Sequence, residues 1–280
     1  MTDSTRGDTA PDIIYVLGAG RSGSTVLGIV LGNLPNVFYG GELFAWPHFR
    51  GVPITENDEV AAFWADFAAT MPDDPIHATD DYYYGLERWS AVFRPRFYVD
   101  RQLRRDQRAH VTELFAQLKA HSGAATIVDS SHFPLRLGAL RRAGLSVAAV
   151  HLTRDSRDVI RALGRREQRR APLGPLPAVV YCWVTELMSR WQMRRAGSMP
   201  VLRVRYEDLV AEPERWVRTI CDTLGVPAAD IDPQQLVPGP VFNGNRLRHA
   251  ETIALRAPGP RAEASGVMRL ADLLVRPLRR

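Results

Sequence analysis

Short apolar runs alternate along this chain with longer stretches of helical character, and that rhythm sets the first expectation. Residues 12–17, Asp-Ile-Ile-Tyr-Val-Leu, are a run of β-formers ending at a glycine, and residues 24–31 follow with helical character despite their β-branched members. The pattern returns at 125–129 followed by 134–143, and at 147–152 followed by 157–166. Residues 201–206 add a fourth strand with a helix at 214–224 behind it, and a further short strand precedes Glu42. Strands that are apolar throughout are buried on both faces, and strand–helix alternation places them in a parallel sheet. The predicted fold class is α/β: three layers, a central parallel sheet with helices on both faces.

Residues 47–101 break the rhythm. They are turn-rich and aromatic, with Trp64, Tyr82, Tyr83, Tyr84, Trp89, Phe93, Phe97 and Tyr98. The stretch reads as an aromatic lobe inserted into a single domain of residues 12–280, serving as lid or pocket wall, or simply burying its own rings. Residues 1–11 read as a flexible N-terminus and the arginine-rich 276–280 as a solvated tail, with no internal repeat between them.

Composition narrows the function classes. The chain has 280 residues, 45% hydrophobic and 24% charged, which suits a globular domain. Lys+Arg 36 against Asp+Glu 31 leaves a net +5, mostly arginine, the side chain suited to forked contacts with phosphate or sulfate. The arginines are scattered rather than gathered in a basic run with interleaved aromatics, which argues against nucleic acid as partner. The two cysteines, Cys182 and Cys221, both fall in apolar helical stretches, so neither a disulfide framework nor a cysteine metal site is expected. The first eleven residues lack the apolar core of a signal peptide, and no window approaches the ~20 apolar residues of a membrane span. The expectation is a soluble, cytoplasmic protein without a metal; a homodimer is compatible with it.

The chemistry concentrates in the turn Gly18-Ala-Gly-Arg-Ser-Gly-Ser-Thr25 between the first strand and helix, a cradle for phosphate groups. Gly18-x-Gly20-x-x-Gly23 matches a dinucleotide fingerprint, with Glu42 at roughly the 20-residue distance of a ribose-binding carboxylate. Against that reading, Arg21, Ser22, Ser24 and Thr25 supply a cation and three hydroxyls where the fingerprint uses little beyond backbone. The same residues fit the P-loop frame, which makes the fold P-loop-like. Serine, however, replaces the lysine that reaches the β- and γ-phosphates of a nucleoside triphosphate. Arg21 puts a cation earlier in the turn, near a helix N-terminus that favours an anion by its amides and dipole.

Arg21-Ser-Gly-Ser-Thr25 resembles the 5′-phosphosulfate loop of sulfotransferases that use 3′-phosphoadenosine 5′-phosphosulfate (PAPS), in the form found in the tyrosylprotein and many bacterial branches. Three more segments resemble that family in the same order. In Tyr39-Gly-Gly-Glu42, Glu42 matches the catalytic base of the tyrosylprotein branch. Val128-Asp-Ser-Ser-His132-Phe-Pro matches a segment that in related bacterial enzymes carries lysine, here replaced by His132. The resemblance implies that His132 either donates to the bridging oxygen or serves as base, so the division of labour with Glu42 stays open.

His151-Leu-Thr-Arg154-Asp-Ser-Arg157-Asp158 matches the segment whose arginine binds the 3′-phosphate, but the family's serine eight positions on is Ala162. Arg166 matches a further arginine of the tyrosylprotein branch, while Arg157 and Arg161 fit surface charges equally well. Arg205-Tyr206-Glu-Asp-Leu209 matches a segment whose tyrosine lies near the nucleotide. Asn243-Gly-Asn245-Arg246-Leu-Arg248 resembles the late loop over the 3′-phosphate, where Asn245 and Arg248 stand in for the contact missing at Ala162.

The resemblance implies in-line sulfuryl transfer from PAPS, leaving 3′-phosphoadenosine 5′-phosphate. Gly20, Arg21, Ser22, Gly23, Ser24 and Thr25 would hold the 5′ end, and Arg154, Arg166, Tyr206, Asn245 and Arg248 the rest of the nucleotide. Arg21 and His132 would neutralise the leaving oxygen, with Glu42 or His132 taking the acceptor proton. The aromatic insertion favours a small hydroxylated acceptor with an apolar body. The competing readings are a P-loop small-molecule kinase, for which neither the lysine nor a magnesium carboxylate is found, and a non-catalytic nucleotide-binding regulator.

Overall fold

The structure, a computed structural model, describes residues 10–71, 101–165, 173–256 and Gly266, with backbone alone for 101–104. Residues 1–9, most of the expected lobe (72–100), Arg166 and the tail at 276–280 lie outside the described residues. Strand β1 (Ile13–Leu17) passes through the glycine-rich turn into α1 (Ser24–Gly32), then β2 (Val37–Gly41), a short α2 (Ala45–His48), α3 (Asp58–Thr70) and α4 (Arg101–Ser122). Next come β3 (Thr126–His132), α5 (Pro134–Arg142), β4 (Val147–Thr153), α6 (Ser156–Leu163), α7 (Pro175–Arg194) and β5 (Val201–Arg205). The series closes with α8 (Tyr206–Ala211), α9 (Pro213–Leu224) and a 3-10 turn, Arg246–His249.

The described strands form one sheet in the order β2-β3-β1-β4-β5, and every neighbouring pair is parallel. Both faces are covered, as the wholly apolar and buried β1 requires. Along β1, Ile14 and Val16 pack with Leu27 and Ile29 of α1 and Val217 and Ile220 of α9. Ile13, Tyr15 and Leu17 pack on the opposite side with Phe115, Leu118 and Leu137. The two-residue period of a strand thus divides one short run between two cores. Local chemistry fixes the helix starts: Asn57 accepts from the amides of Glu59 and Val60, Asp155 accepts from that of Arg157, and proline opens α5, α7 and α9.

Three boundaries differ from expectation for identifiable reasons. The strand expected at 125–129 continues to His132, because the hydroxyls of Ser130 and Ser131 find partners inside the protein: Ser130 Oγ lies 2.8 Å from the Tyr39 hydroxyl, and Ser131 Oγ accepts from the Phe44 amide at 3.0 Å. Tyr206 begins α8 rather than ending the strand. The described start of the expected lobe belongs to the core: Trp64 and Phe67 of α3 are fully buried against Trp46 and Phe242, and Trp64 Nε1 donates to the Pro240 carbonyl at 2.7 Å.

Candidate active site

In a parallel sheet every strand ends at the same edge, and the crevice outside those ends is where such folds bind ligands. Here each strand delivers one predicted residue or segment to that edge. The glycine-rich turn follows β1, Glu42 follows β2, His132 closes β3, Arg154 follows β4 and Tyr206 follows β5. All of them line one cleft of about 1150 Å³, with Asn243, Gly244 and Asn245 of the late loop.

The turn has a geometry that two of its glycines make possible. Gly18 has φ 144°, and a Cβ there would lie 2.3 Å from the Leu152 carbonyl oxygen. Gly23 has φ 97°, and a Cβ would meet the Tyr206 ring at 2.3 Å. Gly20, Arg21, Gly23, Ser24 and Thr25 line the cleft. Ser22 is buried, its amide donating to the Ala19 carbonyl at 3.2 Å, and it is not among the lining residues. No side chain caps α1, so its first-turn amides are available to an anion.

Glu42 and His132 face each other across the cleft floor, with Glu42 Oε1 4.0 Å from His132 Nδ1. Burial pushes the Glu42 carboxyl up to about 7; Arg21 and Arg248 pull it down, and Asp129 adds to the rise. A carboxylate balanced near neutrality accepts a proton from an attacking hydroxyl and releases it again. His132 holds φ 57°, an uncommon value for a side chain of its size, while its carbonyl accepts from the Gly18 amide at 3.3 Å.

The Asp-Ser-Ser string ahead of His132 is a brace. Asp129 is fully buried and paired with Arg136 at 2.7 Å, and it accepts from both the amide and the hydroxyl of Ser131. Ser131 in turn holds the Phe44 amide, two residues beyond Glu42. The two candidate bases are thereby tied to one buried carboxylate.

On the other side, Arg154 lies 4.6 Å over the Tyr206 ring and donates from Nη1 to the Arg21 carbonyl at 3.3 Å. Arg161, paired with Asp158 at 3.2 Å, and Arg165 line the cleft beside Ala162, and Arg157 is paired with Asp155 at 2.8 Å. Asn245 donates its amide to Thr25 Oγ1 at 3.2 Å, seating the late loop on α1. Arg248 stands behind that loop and is not among the lining residues: it donates to Asn243 Oδ1, Gly244 O and Ile54 O at 3.2, 2.7 and 2.6 Å.

Two contributors escape a reading of the sequence. Tyr181 of α7 accepts the Gly20 amide at 2.8 Å and lines the cleft, but no motif surrounds it. Asn243, which bonds Glu42 directly, opens the late-loop string yet lacks a charge to single it out. Beyond the polar floor the cleft is apolar, walled by Leu176, Val180 and Val184 of α7 with Phe44, Phe49 and Phe133. Among the described residues no group of His, Cys, Asp and Glu is placed to hold a metal ion, and no helix is long and apolar enough to cross a membrane.

A family model described as "Sulfotransferase family" matches residues 11–230, so the late loop lies beyond the matched span. The sulfotransferase domain of the Synechococcus PCC 7002 olefin synthase is similar in fold, with TM-score 0.54 at 19% identity over 95% of this chain and 94% of that one. The sulfotransferase domain from the curacin biosynthetic pathway gives TM-score 0.52 at 18% identity over 95% and 98%. No curated protein sequence matches the chain.

Proposed function

The chain belongs to the sulfotransferase family, and from that premise we propose that it moves a sulfuryl group from PAPS to a hydroxyl of a small acceptor with an apolar body, Glu42 being the base. The observation that carries this reading is the meeting, in one cleft, of a lysine-free phosphate turn bearing Arg21 with a largely buried carboxylate, Glu42, whose pKa is pushed up to about 7. A triphosphate-hydrolysing site needs the opposite: a lysine for the γ-phosphate and carboxylates for magnesium. The residues present fit PAPS. Anionic groups at both ends of the nucleotide call for separated cations, and Arg21 lines the cleft by the turn while Arg154, Arg161 and Arg165 line it on the β4–α6 side.

In the reaction a bond forms between the acceptor oxygen and sulfur while the bond from sulfur to the 5′-phosphate oxygen breaks. Glu42 takes the acceptor proton. Gly20, Arg21, Gly23, Ser24 and Thr25 hold the departing phosphate, and Arg21 and His132 meet the charge that appears on its bridging oxygen. Arg154 and the late loop hold the 3′-phosphate side, and the α7 wall takes the body of the acceptor. Titration calorimetry with 3′-phosphoadenosine 5′-phosphate, ATP and NAD tests the donor: the 3′-phosphorylated nucleotide should bind tightest, and preference for ATP or NAD would sink the reading. Mass spectrometry after incubation with PAPS and a panel of phenols and alcohols should show a sulfated product.

A further inference from the structure

Asn243 reaches Glu42 from both backbone and side chain. Its carbonyl accepts from the Glu42 amide at 2.8 Å, and its Nδ2 donates to Glu42 Oε2 at 3.1 Å. The opposite side of the same amide, Oδ1, accepts from Arg248 Nη1 at 3.2 Å. A guanidinium only donates, so Arg248 selects the amide oxygen and turns the NH₂ toward the carboxylate. Arg248 is itself fixed at the Gly244 and Ile54 carbonyls. Below the side chains, Gly41 and Asn243 form a parallel bridge, and a Cβ on Gly41 would lie 2.3 Å from the Asn243 oxygen. Backbone pairing thus adds to the side-chain bond in holding base and late loop in register.

We propose that Asn243, aligned by Arg248, is the positioning residue of Glu42: its donated hydrogen bond holds Oε2 and favours the ionised carboxylate, leaving Oε1, on the His132 side, for the acceptor. This rests on the reading of Glu42 as base. The charged and titratable groups around Glu42 are Arg21 from the turn, Tyr39 from β2, Asp129 and His132 from β3 and Arg248 from the loop. Asn243 beside them is uncharged, so Asn243→Ala removes its bond to Glu42 and the one it accepts from Arg248 without changing formal charge.

The test is a ¹³C-carboxyl NMR titration of Glu42, assigned by difference from Glu42→Gln. A hydrogen bond to the charged form lowers a carboxyl's pKa, so Asn243→Ala should raise the titration midpoint by about one unit, the scale of one charge-assisted bond. Asn243→Asp, close in shape but anionic, should raise it further. With 2-naphthol as probe acceptor and saturating PAPS, Asn243→Ala should lower kcat most at acidic pH, the deficit shrinking as pH rises. A merely structural role would lower activity evenly across pH. An unmoved Glu42 midpoint in both Asn243 variants would overturn the positioning role by itself; wild-type turnover in Glu42→Gln would overturn the base reading by itself.

Discussion

At Glu42 burial and charge oppose each other, and the outcome is measurable in two ways. Glu42→Gln keeps the shape of the side chain but removes the proposed proton acceptor. General-base removal costs on the order of 10²–10⁴ in rate, so kcat should fall by at least about 100-fold while calorimetric affinity for 3′-phosphoadenosine 5′-phosphate stays within twofold. The same carboxyl also weighs on stability. Its midpoint rises from an ordinary 4.5 to about 7 on folding, so the folded state holds this proton more tightly than the unfolded one. The stabilisation from that proton is complete below 4.5 and is lost as pH climbs to about 7. Glu42→Gln should therefore melt close to wild type at acidic pH and above it at pH 8, by up to about 3 kcal/mol from the span of the shift. Thermal melts across that range check the sign, and equal offsets at both ends would refute it.

The strand–loop–helix elements divide into those whose role is written locally and those whose role depends on a neighbour. The turn from Gly18 to Thr25 is legible as a shape because its backbone geometry demands glycine at Gly18 and Gly23, and the hydroxyls and cation of the same string are what the proposed anion would need. Gly23→Ala should show the price of that geometry: the added methyl meets the Tyr206 ring at 2.3 Å at a φ of 97°. Loss of nucleotide binding by calorimetry, with a lowered melting temperature, is the expected result. The end of β3 was only half legible. His132 stands out locally as a departure from a lysine, but nothing local says that Asp129 and Ser131 brace the backbone beyond Glu42, since their partners Arg136 and Phe44 lie on other elements. Removing Arg136 strands a buried carboxylate, so Arg136→Ala should cost about 3–5 kcal/mol in urea unfolding. Arg136→Lys, which keeps the charge without the fork, should cost less.

Taken whole, the molecule brings five strand ends to one edge, and that convergence could be argued from alternation alone once the strands were recognised as parallel. The strand order could not, because it depends on which helices cover which face; nor could the inward turn of α3, which places Trp64 and Phe67 under the sheet rather than in a separate lobe. Tyr181 stayed hidden for the same reason, since it meets the Gly20 amide only after α7 folds back over the turn. A ligand spanning these ends ties together elements far apart in sequence, so its binding should register in global stability. At a concentration about 100 times its Kd, 3′-phosphoadenosine 5′-phosphate should add about 2.7 kcal/mol, a rise of roughly 5–10 °C in melting temperature for a domain of this size. Arg154→Ala separates the 3′ end from the 5′ end. Arg154 also holds the Arg21 carbonyl and stacks on Tyr206, so its loss alone lowers the unliganded melting temperature, and the informative quantity is the shift upon binding. That shift should shrink for the 3′-phosphorylated nucleotide and stay at the wild-type value for adenosine 5′-phosphosulfate. Equal shrinkage for both would mean that Arg154 acts through the turn rather than on the 3′-phosphate.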